Sequence, residues 1–129
     1  MIDHVSLGVS DLSRAARFYA AVLAPFGLVE LVTRPRAIGF GKAYPELWIN
    51  LREGLRADPD SGAHVALRTR LAEAVDAFHR AALAHGAADD GAPGERPYGS
   101  GPNRYYAAFV RDPDGNRLER VAFLPRGNP

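Results

Sequence analysis

Two histidines and one glutamate carry the chemistry this sequence suggests first. His4 opens the run His4-Val5-Ser6-Leu7-Gly8-Val9, and 60 positions later His64 opens His64-Val65-Ala66-Leu67. Each copy puts an imidazole at the same point of the same kind of strand, as two homologous halves of one site would. Glu119, in a late apolar segment, supplies a carboxylate. Two imidazoles and a carboxylate suit a divalent metal ion (zinc, iron, manganese, nickel or cobalt) and leave positions for water or substrate oxygens. Such an ion would polarise a carbonyl, stabilise an enediolate or, as iron, bind oxygen. The same residues also have plainer readings. Either histidine fits a structural hydrogen bond, and a glutamate alternating with Val121 and Phe123 needs a partner that Arg68, Arg111, Arg117 or Arg120 could equally supply.

The elements that must position these groups follow from periodicity. Val5, Leu7 and Val9 alternate with His4, Ser6, Gly8 and Ser10, which predicts a half-buried strand with the histidine among small neighbours. Asp11 is placed to cap a helix over 12–24, whose stripe is Leu12, Ala15, Phe18, Tyr19, Val22 and Leu23, with Pro25 and Gly27 stopping it. Strands are predicted over 28–32, 38–41 and 47–51. The pattern then repeats: a strand over 64–69 with His64, Ala66 and Arg68 on one face, and a helix over 71–85 with Leu71, Val75, Phe78 and Ala82 inward. His79 and His85 are expected to face solvent. A short strand over 87–89, a glycine- and proline-rich loop from Asp89 to Arg104, and strands over 105–111 and 117–124 complete the second copy. The turn between these last two is Asp112-Pro113-Asp114-Gly115-Asn116.

The predicted class is therefore α+β, a strand, a helix and three strands performed twice. We expect one domain over 1–129, with pseudo-symmetric modules at about 1–54 and 61–125. Each half is too small to hide its apolar face alone, so two curved mixed sheets around a concave pocket are expected. The formal charge is +1, with 16 basic and 15 acidic residues interleaved. That balance offers no footprint for nucleic acid or an anionic membrane. There are no cysteines, so disulfides and thiolate chemistry are excluded. No apolar stretch approaches a membrane span, and a soluble cytoplasmic protein is the expectation.

With His4, His64 and Glu119, the Arg17-Phe18-Tyr19 helix and the Asp-Pro-Asp-Gly turn before Leu118-Glu119, the chain resembles the glyoxalase, bleomycin-resistance and extradiol-dioxygenase (vicinal oxygen chelate) superfamily. The resemblance covers residues 2–124. It implies paired βαβββ modules, metal ligands at His4, His64 and Glu119, a homodimer, and a small carbonyl or vicinal-diol substrate. Glyoxalase-I-type members add a carboxylate on the last strand of the first module. Here that point falls on Trp48, with Glu46 and Asn50 two residues away on the same face. An indole cannot ligate a metal; it would narrow the pocket or stack on a flat substrate. Metal-free members that trap compounds in a groove give the alternative, a non-catalytic small-molecule-binding or antibiotic-sequestration protein.

In that family setting the 89–104 loop would close over the pocket. Arg96 and Tyr98 are then candidates to grip an anionic or hydroxylated substrate, with Trp48 and Asn50 as further pocket residues. Of Tyr105 and Tyr106 one must face inward and one outward. Tyr105 is expected to touch substrate; no residue stands out as the proton-transfer base, for which Tyr106 and a metal-bound hydroxide are the candidates.

Overall fold

The computed structural model describes residues 1–56 and 61–127, and its chain divides into two compact units. One comprises Met1–Pro59 with Pro113–Asn116, the other Asp60–Asp112 with Arg117–Pro129. Each holds a four-stranded mixed sheet and one long helix, so the predicted βαβββ order occurs twice.

In the first unit, strand β1 (Val5–Val9) leads into helix α1 (Leu12–Leu23), then β2 (Val29–Arg34), β3 (Ala37–Gly41) and β4 (Pro45–Leu51). The sheet order is β1-β4-β3-β2, with β1 parallel to β4 and the remaining pairs antiparallel. Asp11 caps α1: its Oδ1 accepts from the backbone N–H of Arg14 at 3.0 Å. The stripe predicted from helical spacing is buried, with Phe18, Tyr19, Val22 and Leu23 meeting Phe40, Leu47 and Ile49 from the sheet in the core. Each such side chain contributes about 1.5–3 kcal/mol relative to exposure. The opposite face of the sheet carries Ser6, Gly8, Trp48 and Asn50, as the β1–β4 register requires.

The 113–116 turn belongs to this first unit, where it does more than reverse the chain. Asn116 Nδ2 donates to the Gly8 carbonyl at 2.9 Å, the Ser10 hydroxyl donates to Asp114, and Arg14 reaches Asp114 Oδ1 at 3.3 Å. These bonds hold the turn to the junction of β1 and α1.

The second unit runs β5 (Val65–Thr69), α2 (Ala72–Ala84), β6 (Ala88–Arg96), β7 (Asn103–Arg111) and β8 (Arg117–Pro125), in the sheet order β5-β8-β7-β6. Val75, Phe78 and Ala82 of α2 are fully or nearly fully buried, and Val75 packs with Ala108 and Ala122.

Three expectations change here. Leu71, expected on the inner stripe, is 61% exposed and stands at the N-cap of α2. The stretch predicted to be mostly loop is a nine-residue strand, β6, paired antiparallel to β7 with register shifts at Gly91 and between Gly91 and Gly94. Bulges of this kind interrupt the alternation of faces, so a true edge strand reads as glycine-rich loop. His79 is also not a solvent-facing histidine. Its side chain is only 12% exposed and its Nε2 lies 2.8 Å from Asp89 Oδ1 on β6. That bond, with one from the Gly91 N–H, holds the Asp89 carboxyl below its ordinary value. His85 stays exposed, its Nδ1 on the Ala81 carbonyl at the helix end. Among the described residues, no helix is long and apolar enough to cross a membrane.

Candidate functional site

The sheet face of the second unit that points away from α2 gathers its polar and aromatic groups in register. Ala66 of β5 stands opposite Glu119 of β8, which stands opposite Phe109 of β7. Val121 opposes Ala107, and Phe123 opposes Tyr105. Strand alternation therefore places Glu119, Val121, Phe123, Tyr105, Ala107 and Phe109 on one face, with His64 entering from the start of β5.

Glu119 is the centre of this arrangement. Its side chain is 3% exposed, yet both oxygens are occupied: His64 Nε2 lies 3.0 Å from Oε1, and the Tyr105 hydroxyl donates to Oε2. An unpaired carboxylate buried this deeply would cost several kcal/mol or take up a proton, and two donors offset that cost. None of the four arginines raised as partners fills the role. Arg111 and Arg117 turn to Asp90, at 3.4 and 3.5 Å, Arg68 lies over the Phe123 ring, and alternation sends Arg120 to the opposite face. Buried there, Arg120 has its guanidinium pulled down to about 10 by loss of solvent.

Tyr105 is reached across the small Ala107 side chain and is fixed by two edge-on rings, Tyr98 and Phe123, each with its centroid 5.3 Å away. Burial, reinforced by the neighbouring Glu119 carboxylate, pushes its hydroxyl up to about 12. A phenol raised above its ordinary 10.0 contributes stability fully below that pH and loses it as the pH rises through about 12. The unfolding free energy of the wild type is accordingly expected to fall across this alkaline window, and that of Tyr105→Phe to stay flatter, as measured by urea titration at stepped pH.

Tyr106, a candidate proton-transfer base, faces the other way. Its hydroxyl donates to Asp76 Oδ1 on α2 at 2.8 Å, and its ring packs on the Val75, Ala108 and Ala122 cluster. That bond raises the pKa of its hydroxyl further from a base's range. The adjacent position, Tyr105, is the one beside Glu119.

The remaining expected site residues lie as follows. His4 precedes β1 and is exposed, its Nδ1 2.7 Å from Asp3 Oδ2. Trp48 and Asn50 share the first unit's sheet face opposite to that of Leu47 and Ile49. The Trp48 ring rests on Gly39, where an added Cβ would come within 3.1 Å of it, and the Arg34 guanidinium lies 5.1 Å from its centroid. Glu46 accepts from the Lys42 backbone N–H at 3.3 Å. Among the described residues no three His, Cys, Asp or Glu side chains converge as a metal-binding group. The donor set that does meet, one imidazole and one carboxylate, is short of the three protein ligands usual for a catalytic metal.

Sequence reasoning missed Phe109 and the full role of Arg68. Both were legible from alternation, since they sit at two-residue steps from Tyr105 and His64.

Comparison with known proteins gives one family. Residues 1–120 match the family model described as the Glyoxalase/Bleomycin resistance protein/Dioxygenase superfamily. A glyoxalase/bleomycin resistance protein from Albidiferax ferrireducens T118 is 27% identical, with TM-score 0.80 over 93% of this chain and 97% of that one. A variant of the fosfomycin resistance protein FosX from Listeria monocytogenes, complexed with Mn(II) and dihydroxypropylphosphonic acid, is 25% identical, with TM-score 0.68 over 95% and 89%. A glyoxalase-related enzyme from Fulvimarina pelagi shares the fold at 22% identity and TM-score 0.73, over 95% and 87%. No protein of curated function matches the chain significantly.

Proposed function

We propose that this chain, which belongs to the glyoxalase/bleomycin-resistance/dioxygenase superfamily, is a non-catalytic small-molecule-binding or sequestration protein. Its ligand rests on the second unit beside Tyr105, where the Tyr98 and Phe123 rings are exposed. One observation carries the reading: Glu119, the carboxylate that family resemblance assigns to a metal, already has each oxygen engaged by a protein donor, His64 and Tyr105. One further feature supports it: Trp48 stands where an isomerase would carry a carboxylate.

In this reading the chain's residues bind and orient. Tyr105 stays protonated and donating, Glu119 holds Tyr105 and His64 in place, and the exposed Tyr98 and Phe123 rings supply apolar surface. The 3.0 Å meeting of His64 with Glu119 favours a second reading, a metalloenzyme acting on a small carbonyl or vicinal diol. There, these two residues would be ligands, and a bound ion would supply stabilisation of developing negative charge.

Native mass spectrometry of untagged protein taken directly from cells tests the first reading. We expect a non-covalent organic adduct on the wild type that is lost from Tyr105→Phe. An adduct consisting of one divalent metal ion, retained in Tyr105→Phe and lost in His64→Ala, would overturn it in favour of the second.

A further inference from the structure

We propose that the second unit's sheet face that points away from α2 selects a planar organic anion, an aromatic carboxylate, that Arg96 is its charge-recognising group, and that Arg68 adds positive potential from the far edge. The proposal rests on the small-molecule reading above and names the ligand class. Among the described residues of this unit, Arg104, Arg111 and Arg117 are each within 3.6 Å of a carboxylate oxygen, whereas Arg68 and Arg96 form no ion pair. These two are instead held over rings: the Arg68 guanidinium carbon lies 4.6 Å from the Phe123 centroid, and that of Arg96 5.4 Å from the Phe109 centroid. A guanidinium stacked on a ring keeps its in-plane N–H fork free for a carboxylate.

The position of Arg96 is built into the strand. It lies two strands away from β8 on the β6 edge, opposite Tyr105, and its side chain runs back along the strand to reach Phe109. Glycines clear that route. A Cβ on Gly94 would come within 3.2 Å of Arg96 Nη1, and one on Gly91 within 3.2 Å of Nη2 and 3.0 Å of the Phe109 ring. Gly91 also has φ +149°, which L side chains rarely adopt. The Ala92 carbonyl then takes one N–H from Nη2 at 2.7 Å, fixing the head group while leaving its other donors. Arg68 leans in from the opposite edge strand, β5, about 14 Å away across three strand spacings. Between them lie aromatic rings and one carboxylate, Glu119, whose two oxygens already accept from His64 and Tyr105, so two guanidiniums face a single carboxylate. The face therefore presents surplus positive charge around an aromatic floor, which fits a flat ring bearing one anionic group.

The test is titration of the whole chain with benzoate, benzamide and benzylammonium, followed by amide chemical-shift mapping. Benzoate is expected to bind best, by about tenfold over benzamide, with shifts on β6, β7 and β8. Arg96→Gln should remove most of that preference and Arg68→Gln a smaller part, Arg96→Lys should restore part of what Arg96→Gln removes, and Gly94→Val should mimic Arg96→Gln by blocking the trough. Binding of benzamide or benzylammonium as tight as benzoate, still weakened by Tyr105→Phe, would overturn the anion preference and leave the small-molecule reading standing. Binding of none of the three, with folding intact by the same spectra, would overturn both.

Discussion

Glu119→Ala is expected to destabilise the protein by about 2–4 kcal/mol, because it strands the Tyr105 hydroxyl and removes the acceptor for His64 while opening a hole in a buried position. His64 is the smaller part of that loss, since its side chain is 45% exposed and water can replace the glutamate. Glu119→Gln keeps the shape and one acceptor oxygen, and about half the loss is expected. Urea unfolding near neutral pH measures both. The direction is informative: a carboxylate kept for a metal pays for its burial without compensation when the ion is stripped, so its removal would leave the chelated protein equally or more stable. Glu119→Ala losing stability by the same amount with and without a chelator is the outcome expected of a residue paired within the protein.

The second large effect is predicted in the first unit, at Gly41→Ala. An added Cβ would lie 1.8 Å from the Tyr44 carbonyl oxygen and 2.7 Å from its carbon, both backbone atoms. No side-chain rotation relieves such a contact, so the Lys42-Ala43-Tyr44 reversal must open. That reversal carries the register shift between Phe40 and Gly41 that sets β3 against β4. A cost of about 3 kcal/mol is expected from steric displacement of this kind. The unfolding midpoint measures it, and loss of the Trp48 contact with Gly39 should appear as a change in fluorescence of the chain's single tryptophan. An unchanged midpoint would mean the reversal adapts freely.

The architecture was largely legible because its signals are local. Alternation around Val5, Leu7 and Val9 marks β1, the Ala15, Phe18, Tyr19, Val22 and Leu23 stripe marks α1, and a repeat at 60 positions transfers both to the second unit. What was not legible depends on partners distant in sequence. The β6 strand hides behind its register shifts around Gly91 and before Gly94, where added Cβ atoms would come within 3.2 Å of the Arg96 head group. His79 follows Val75 by four and so lies beside the buried stripe of α2; its carboxylate partner, Asp89, sits in the segment read as loop.

The two tyrosines show how near the sequence came to the site. Alternation separates Tyr105 from Tyr106 without saying which faces Glu119. The register of the 112–116 turn supplies the missing step: with Arg111 opposite Arg117, counting back by twos puts Phe109 opposite Glu119 and Tyr105 on the same face. The proton-transfer role for which Tyr106 is a candidate thus meets a hydroxyl committed to Asp76 on the helix side. The pairing of Glu119 with His64 and Tyr105 required the folded geometry, because the sequence offered a metal and four arginines as equal alternatives.

The metal content of untagged protein, determined by elemental analysis beside a His4→Ala variant prepared identically, bears most directly on whether Glu119 serves the protein or an ion. Far less than one equivalent of any divalent transition metal per chain is expected, with the same low content in both samples. One equivalent in the wild type that disappears from His4→Ala would contradict it.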